Sequence, residues 1–234
     1  QLGTGVSRTH TTVVTKWSKT AVVMAKEMAI FGGSFNPIHF GHLIVAECCL
    51  EQAQLDQVLF MPAATPPHKQ DSTLASPEDR IEMLQLAVES HTQFEVSPQE
   101  CNRGGISYTV TTVHNLIHQF PNDNLSLILG PDALLSLPSW KEPQRILGLI
   151  KILAIERHGV DNIEQITQEP QLKELLSEKQ SYQIKTDRIR VPAIGIRANE
   201  LRRAIASGSS IRFRTPRNVE RLISRKRLYS TGTH

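Results

Sequence analysis

Short apolar runs alternate with stretches of helical period along most of this chain. Met28 to Phe31, Val58 to Met61 (VLFM), Leu125 to Leu129 (LSLIL) and Ile150 to Ile155 (IKILAI) read as buried strands, because the runs are short and almost wholly apolar. Phe94 to Ser97 reads as a further strand, and Arg188 to Ile196 as a strand or extended segment. Gly41 to Gln54 and Tyr108 to Phe120 carry a helical pattern instead. Ser76-Pro77-Glu78-Asp79 is a helix start, with serine as the cap, proline at the first helical position and acids in the first turn. Ile81, Leu84 and Val88 follow it at helical spacing. A weak helix is expected at Pro170 to Glu178 inside the polar stretch Val160 to Gln183, a short one at Asn199 to Ala206 stopped by Gly208, and a last one from about Pro216.

Strands separated by helices imply right-handed βαβ units on a parallel sheet. The predicted fold class is therefore α/β, a Rossmann-like doubly wound parallel sheet with a small C-terminal helical segment. In such a sheet ligands sit outside the carboxyl ends of the strands, near the point where strand order reverses. The glycine-rich turn after the first strand, the loop PAATPPHK (Pro62 to Lys69), Gly130-Pro131-Asp132 and Arg157-His158-Gly159 each follow a strand directly. All four are expected on one rim.

Residues 28–227 are expected to form one domain, preceded by a leader at 1–27 and followed by a tail at 228–234. The leader is rich in Thr, Val and Ser and carries Arg8, Lys16, Lys19 and Lys26 against Glu27. That composition fits an organelle transit peptide, an expression scar or translated upstream sequence; the lack of an Arg-rich amphipathic helix favours the latter two, with Met28 as the natural start. The net charge of +3 sits at the ends, because Lys185 to Arg227 holds thirteen basic residues against Asp187, Glu200 and Glu220. A composition of 39% hydrophobic and 21% charged residues is that of an ordinary globular protein, and no apolar run approaches the roughly 18 residues that a membrane span needs. Cys48, Cys49 and Cys101 form no C-x-x-C pair, which argues against a disulfide framework or a cysteine zinc site and fits a reducing, cytoplasmic setting.

The densest chemistry lies in FGGSFNPIHFGH, Phe31 to His42. Gly32 and Gly33 allow a positive φ and leave room for a ligand to approach the backbone. Gly41-His42 opens a helix, so free N–H groups and the positive end of the macrodipole face the rim and suit an anion. His39 and His42 could each donate hydrogen bonds to phosphate oxygens, or as H-x-x-H could chelate zinc; no third ligand at zinc spacing accompanies them, so no protein metal site is predicted.

Taken whole, this turn resembles the strand-to-helix signature of the nucleotidylyltransferase superfamily, G-x-F-x-P-x-H-x-G-H. PAATPPHK, GISYTVTTV (Gly105 to Val113) and LGPDALLSLPSWKEP (Leu129 to Pro143) are similar to segments of one of its families, the nicotinate-nucleotide adenylyltransferases. The resemblance spans Met28 to about Ile223, leaving Val160 to Gln183 unmatched. It implies transfer of AMP from ATP to nicotinate mononucleotide with release of pyrophosphate and no covalent intermediate, so ATP and that mononucleotide are the expected partners and Mg2+ the expected cofactor.

The same resemblance assigns catalysis to His39, His42, Lys69 and Arg202. ATP would be held by Gly32, Gly33, Ser34, Phe35, His39, His42, Gly130, Asp132, Arg197, Asn199 and Arg202. The mononucleotide would be held by Lys69, Thr109, Asp132, Trp140 and Arg157, with Trp140 stacked on the nicotinate ring. Read without the family, Trp140 could be a core indole, and Asp132, Ser107 or Thr109 a helix cap. One segment departs from the pattern: the family's I-S-S-T-x-I-R reads IRANELR here, so Arg197, Ala198 and Asn199 replace three hydroxyls while Arg202 is kept. Asn199 could cap the helix there. Thr111 likewise replaces an aspartate.

Alternatives stay open at this stage. They are a preference for nicotinamide mononucleotide, a pantetheine-phosphate adenylyltransferase, an inactive homologue, or nucleic-acid binding through the basic C-terminal stretch, where IRFRTPR interleaves an aromatic residue with arginine. Nucleic acid is disfavoured because no helix-turn-helix or zinc finger appears. A homo-oligomer is compatible with the sequence.

Overall fold

The computed structural model describes residues 25–65 and 74–230. Its six strands are β1 (Glu27–Gly33), β2 (Gln57–Pro62), β3 (Phe94–Val96), β4 (Asn124–Leu129), β5 (Lys151–Arg157) and β6 (Ile189–Val191). They form one sheet in the order β3-β2-β1-β4-β5-β6, and every pairing is parallel. The order reverses between β1 and β4, whose register pairs Met28 with Leu125 and Ile30 with Leu127. The parallel direction puts all strand ends on one rim, as the alternation of elements predicts.

Helices α1 (Phe40–Gln52), α2 (Pro77–Val88), α3 (Gln99–Arg103), α4 (Thr109–Gln119), α5 (Pro131–Ser136), α6 (Pro143–Leu149), α7 (Ile163–Ile166), α8 (Pro170–Leu175), α9 (Glu178–Thr186), α10 (Ala198–Ala206) and α11 (Arg217–Lys226) cover the sheet. Alternate strand residues face opposite layers. Ala29, Val58, Phe60, Ile128 and Leu153 meet α1, α2, α10 and α11 through Ala46, Cys49, Leu84, Leu201 and Leu222. Ile30, Leu59, Met61, Leu127 and Ile152 meet the remaining layer through Val113, Leu116, Leu134, Ile146 and Ile184. Both faces are buried, which is why the strands read as unbroken apolar runs.

The start of α2 follows its sequence signal: Ser76 Oγ accepts from the Asp79 N–H at 3.1 Å, and Pro77 takes the first helical position. The polar stretch differs from expectation. The helix begun at Pro170 stops at Leu175, and Ser177 opens a new one, α9. A reciprocal cap is the reason, since Ser177 Oγ accepts from Gln180 N–H while Gln180 Oε1 accepts from Ser177 N–H. Short helices α3, α5, α6 and α7 carry too few turns to show a periodic pattern. Packing also runs past Arg227: Leu228 and Tyr229, placed in the tail by sequence, lie against the core.

One polar side chain crosses this core. Arg80 on α2 is fully buried and donates to four backbone carbonyls: Ser34 at 3.1 Å, Ala63 at 2.6 Å, Ala64 at 3.1 Å and Ala75 at 3.1 Å. It thereby joins the turn after β1, the loop after β2 and the segment entering α2. Helical spacing puts it on the same stripe as Leu84 and Val88, so the fold must bury it and these carbonyls satisfy it. Arg80→Met should leave several buried carbonyls without donors and destabilise the protein by about 3 kcal/mol, measured by urea unfolding. A loss under about 1 kcal/mol, the net worth of one ordinary hydrogen bond, would mean that the loops hold themselves.

Candidate active site

The end of β1 runs straight into the glycine-rich turn. Neither Gly32 nor Gly33 adopts a positive φ, contrary to the expectation from sequence; both continue the strand. Their use is space. A Cβ on Gly33 would stand 3.1 Å from Cζ of Phe35, whereas one on Gly32 would point into a space with no atom within 4 Å. Phe35 takes the left-handed backbone instead, at φ 43°, and is buried with its ring at 5.6 Å from that of Phe31 and 5.7 Å from that of Phe60. Its burial anchors the turn, and Ser34 beside it stays on the rim.

Two cavities meet at Ser34. The first, of about 340 Å³, is mainly apolar and is walled by Gly32, Gly33, Met61, Thr109, Gly130 and Trp140 among others. Trp140 is half-buried, packs against the core on this side of the sheet and also walls the cavity, with its Nε1–H donated to Ser136 Oγ at 3.1 Å. Thr109 is the first residue of α4 and Tyr108 its cap position; Ser107 caps nothing and accepts from Ala64 N–H at 3.0 Å. The second cavity, of about 720 Å³, is walled by Ser34, Asn36, Leu74, Asp132, Arg157, Arg197, Ala198, Asn199 and Arg202. Three arginines and one carboxylate on its wall suit an anion, with Arg157 held in place by Asp161.

Asn36 organises the joint between the opening turn and the C-terminal helices. Its backbone carbonyl accepts from Arg202 Nη1 at 2.9 Å, and its Oδ1 accepts from Ala75 N–H at 3.0 Å and from the Tyr229 hydroxyl at 2.6 Å. Thr215 Oγ1 donates to the Ile38 carbonyl and Phe40 N–H to the Arg214 carbonyl. Arg197 caps α10 through its backbone only, so Asn199 lies inside the helix and is not its cap.

The two histidines are stacked, with ring centroids 3.7 Å apart. His42 Nδ1 accepts from the His39 backbone N–H at 3.3 Å, which leaves Nε2 as the protonated nitrogen of neutral His42. His39 is buried, and burial holds its pKa down at about 4, so near neutrality it is an uncharged imidazole. Its Nδ1 is buried against the first turn of α1. Neither ring lines the two cavities just described.

The structure thus groups Gly32, Gly33, Ser34, Gly130, Thr109 and Trp140 around the apolar cavity, and Ser34, Asp132, Arg157, Arg197, Asn199 and Arg202 around the basic one. Arg157, expected beside the mononucleotide, falls in the basic cavity, where Asp161 grips its Nε at 2.7 Å and Nη2 at 2.8 Å. Phe35 supports the turn from below. Lys69 lies outside the described residues. Sequence reasoning missed Arg80, Asn36 as a hub, and Glu100, a buried carboxylate on the wall of the apolar cavity that accepts from Thr112 Oγ1. Many C-terminal cations are matched locally: Arg188 with Glu156, Arg212 with Glu220, and Arg225 and Lys226 with Glu82. Among the described residues no helix is long and apolar enough to cross a membrane.

A glycine-rich turn at the reversal of a parallel sheet, with an apolar cavity on one side and an arginine-lined cavity on the other, is the arrangement of a nucleotide-binding α/β protein. The sequence model of the cytidylyltransferase-like family matches residues 30–214, and the chain belongs to that family. Within it, the chain is 38% identical over 202 residues to a protein of Rhodopirellula baltica named probable nicotinate-nucleotide adenylyltransferase, covering 86% of this chain and 92% of the relative. A protein of the same name from Thermomicrobium roseum is 37% identical over 204 residues, covering 87% and 92%. These relatives place the chain among the nicotinate-nucleotide adenylyltransferases. The fold is shared with nicotinic acid mononucleotide adenylyltransferase of Plasmodium falciparum, solved complexed with APC (TM-score 0.66) and with NaAD (TM-score 0.65); each is 15% identical and covers 89% of this chain and 100% of its own.

The buried, neutral His39 makes stability depend on pH. Its pKa of about 4 in the folded protein lies below its ordinary value, so the unfolded chain binds more protons between the two. The contribution is complete above about pH 6.5 and is lost as pH falls toward 4, amounting to about 2 kcal/mol by pH 5. Urea unfolding at pH 7 and pH 5 should show that drop in the wild type and a smaller one in His39→Gln; equal drops would remove His39 as its source.

Proposed function

We propose that this protein transfers the adenylyl group of ATP to nicotinate mononucleotide, giving nicotinate adenine dinucleotide and pyrophosphate in NAD biosynthesis. The observation that carries the chemistry is the shared wall at Ser34, which sets a ring-binding cavity beside a polyphosphate-binding one. A mononucleotide with its ring against Trp140 has its phosphate at the junction, facing an ATP whose triphosphate lies among the arginines. The mononucleotide phosphate oxygen attacks the α-phosphorus, and pyrophosphate leaves on the opposite side. Such a displacement needs alignment and charge neutralisation more than a protein nucleophile.

The residues divide these tasks. Arg197, the cap residue of α10, and Arg202, on its second turn, neutralise the triphosphate together with the helix N-terminus. His42, its tautomer set by the His39 backbone, donates Nε2–H to a phosphate oxygen as charge builds. Lys69 is proposed to reach the same phosphates from the proline loop, whose base at Ala63 and Ala64 Arg80 fixes. Asp132 accepts from ribose hydroxyls. Mg2+ fits as an ion carried by the triphosphate: Asp132 is the carboxylate that would meet it, and no three His, Cys, Asp or Glu side chains gather to cage an ion among the described residues. When bound, it supplies further neutralisation of phosphate oxygens.

A second reading rests on Glu100. A buried carboxylate on the wall of the ring cavity would oppose a nicotinate carboxylate placed near it and would favour the amide, nicotinamide mononucleotide.

Incubation with ATP, Mg2+ and each mononucleotide, followed by pyrophosphate release, decides between them. Faster turnover of the nicotinate substrate supports the proposal; release with neither substrate sinks both readings. His42→Ala should lower kcat by ~10² to 10³ with little change in the melting temperature, as expected for one lost transition-state donor. Trp140→Ala should raise KM for the mononucleotide by about tenfold while leaving KM for ATP near its original value, because an aromatic wall contributes on the order of 1 kcal/mol or more.

A further inference from the structure

A second pair of histidines lies away from this chemistry, on α4. His114 and His118 are four residues apart, so their side chains lie one above the other on one face of the helix. Both are exposed, whereas Val113 and Leu116, further round the helix, turn into the core with Val110 at its start. The rings stand with centroids 4.5 Å apart at an interplanar angle of 67°, and their Nε2 atoms are 3.3 Å apart.

That separation has a chemical meaning. Two imidazole nitrogens bound at about 2.0–2.1 Å to one tetrahedral ion lie about 3.3–3.4 Å from each other. We infer that His114 and His118 form a two-imidazole chelating site for a borderline divalent transition ion, with Zn2+, Ni2+ and Cu2+ as the class that accepts this donor set. No third histidine, cysteine or carboxylate joins them among the described residues, so water completes the coordination and the ion exchanges readily. Mg2+ prefers oxygen ligands and does not compete here. The substrate-borne ion and the helix-borne ion are therefore chemically separate.

Chelation at this spacing braces α4 across one turn. Thr109, Thr112 and Val113 of the same helix wall the apolar cavity, so an ion on its outer face stiffens the element that shapes the ring site. The competing account of the 3.3 Å contact is a plain hydrogen bond between one protonated and one unprotonated nitrogen.

Titration calorimetry with ZnCl2, on tag-free protein held in excess Mg2+, separates the two. The wild type should bind one ion more tightly than His118→Ala by at least about tenfold, because removing one of two linked donors forfeits the effective concentration of the second. The wild-type melting temperature should rise with zinc, and that of His118→Ala should rise less. Adenylyl transfer without zinc should be the same in both. His39 and His42 are present in both proteins, so zinc held there cancels in the comparison. Superimposable titrations for the wild type and a folded His118→Ala would overturn the inference and leave a hydrogen-bonded pair.

Discussion

A guanidinium buried among four carbonyls is the constraint on which the site depends. Arg80 gathers Ser34, Ala63, Ala64 and Ala75. Those carbonyls belong to loops that leave adjacent strands and would otherwise diverge over the rim. Burial pulls the Arg80 pKa below the usual arginine value, yet an arginine stays ionised even so, and its planar fork reaches several acceptors at once. A lysine could satisfy three acceptors at most and lacks the fixed geometry. Position, not charge at the phosphate, is what this cation provides. Because Ser34 is both its ligand and the shared wall of the two cavities, the spacing between the ring pocket and the arginine pocket follows from one buried side chain.

Charge in the site is distributed unevenly for a physical reason. The basic cavity carries Arg157, Arg197 and Arg202, with Arg157 gripped by Asp161. His39, by contrast, is neutral because desolvation outweighs all else around it. Arg197, Ala198 and Asn199, which stand where the resembled pattern has three hydroxyls, all line this same cavity.

The strands, the sheet direction and the rim were legible because both faces of a parallel sheet are buried, and that leaves unbroken apolar runs such as LSLIL. FGGSFNPIHFGH was legible as the turn that carries the chain from β1 into α1 at the rim, though its glycines act through space and not through a left-handed backbone. What was hidden shares a property: it depends on contacts far apart in the chain. Arg80 looks like a surface cation until α2 is docked on the sheet, and Glu100 sits in a helix too short to have a period. The break at Ser177 was readable in principle, since Ser177 and Gln180 form a capping box, but the polar composition around it masked the signal.

The joint at Asn36 also bears on when the site can exist. Its partners Arg202 and Tyr229 lie 166 and 193 residues further along, and Thr215 reaches Ile38 across 177. Contacts of such separation form only after large loops have closed, so they are late events in folding. A polypeptide still emerging, or cut short before Leu228 and Tyr229, holds its glycine-rich turn without the hydroxyl that meets Asn36. The glycine-rich turn thus depends for its last contacts on residues as far along as Tyr229, so its final geometry waits on the docking of the C-terminal helices.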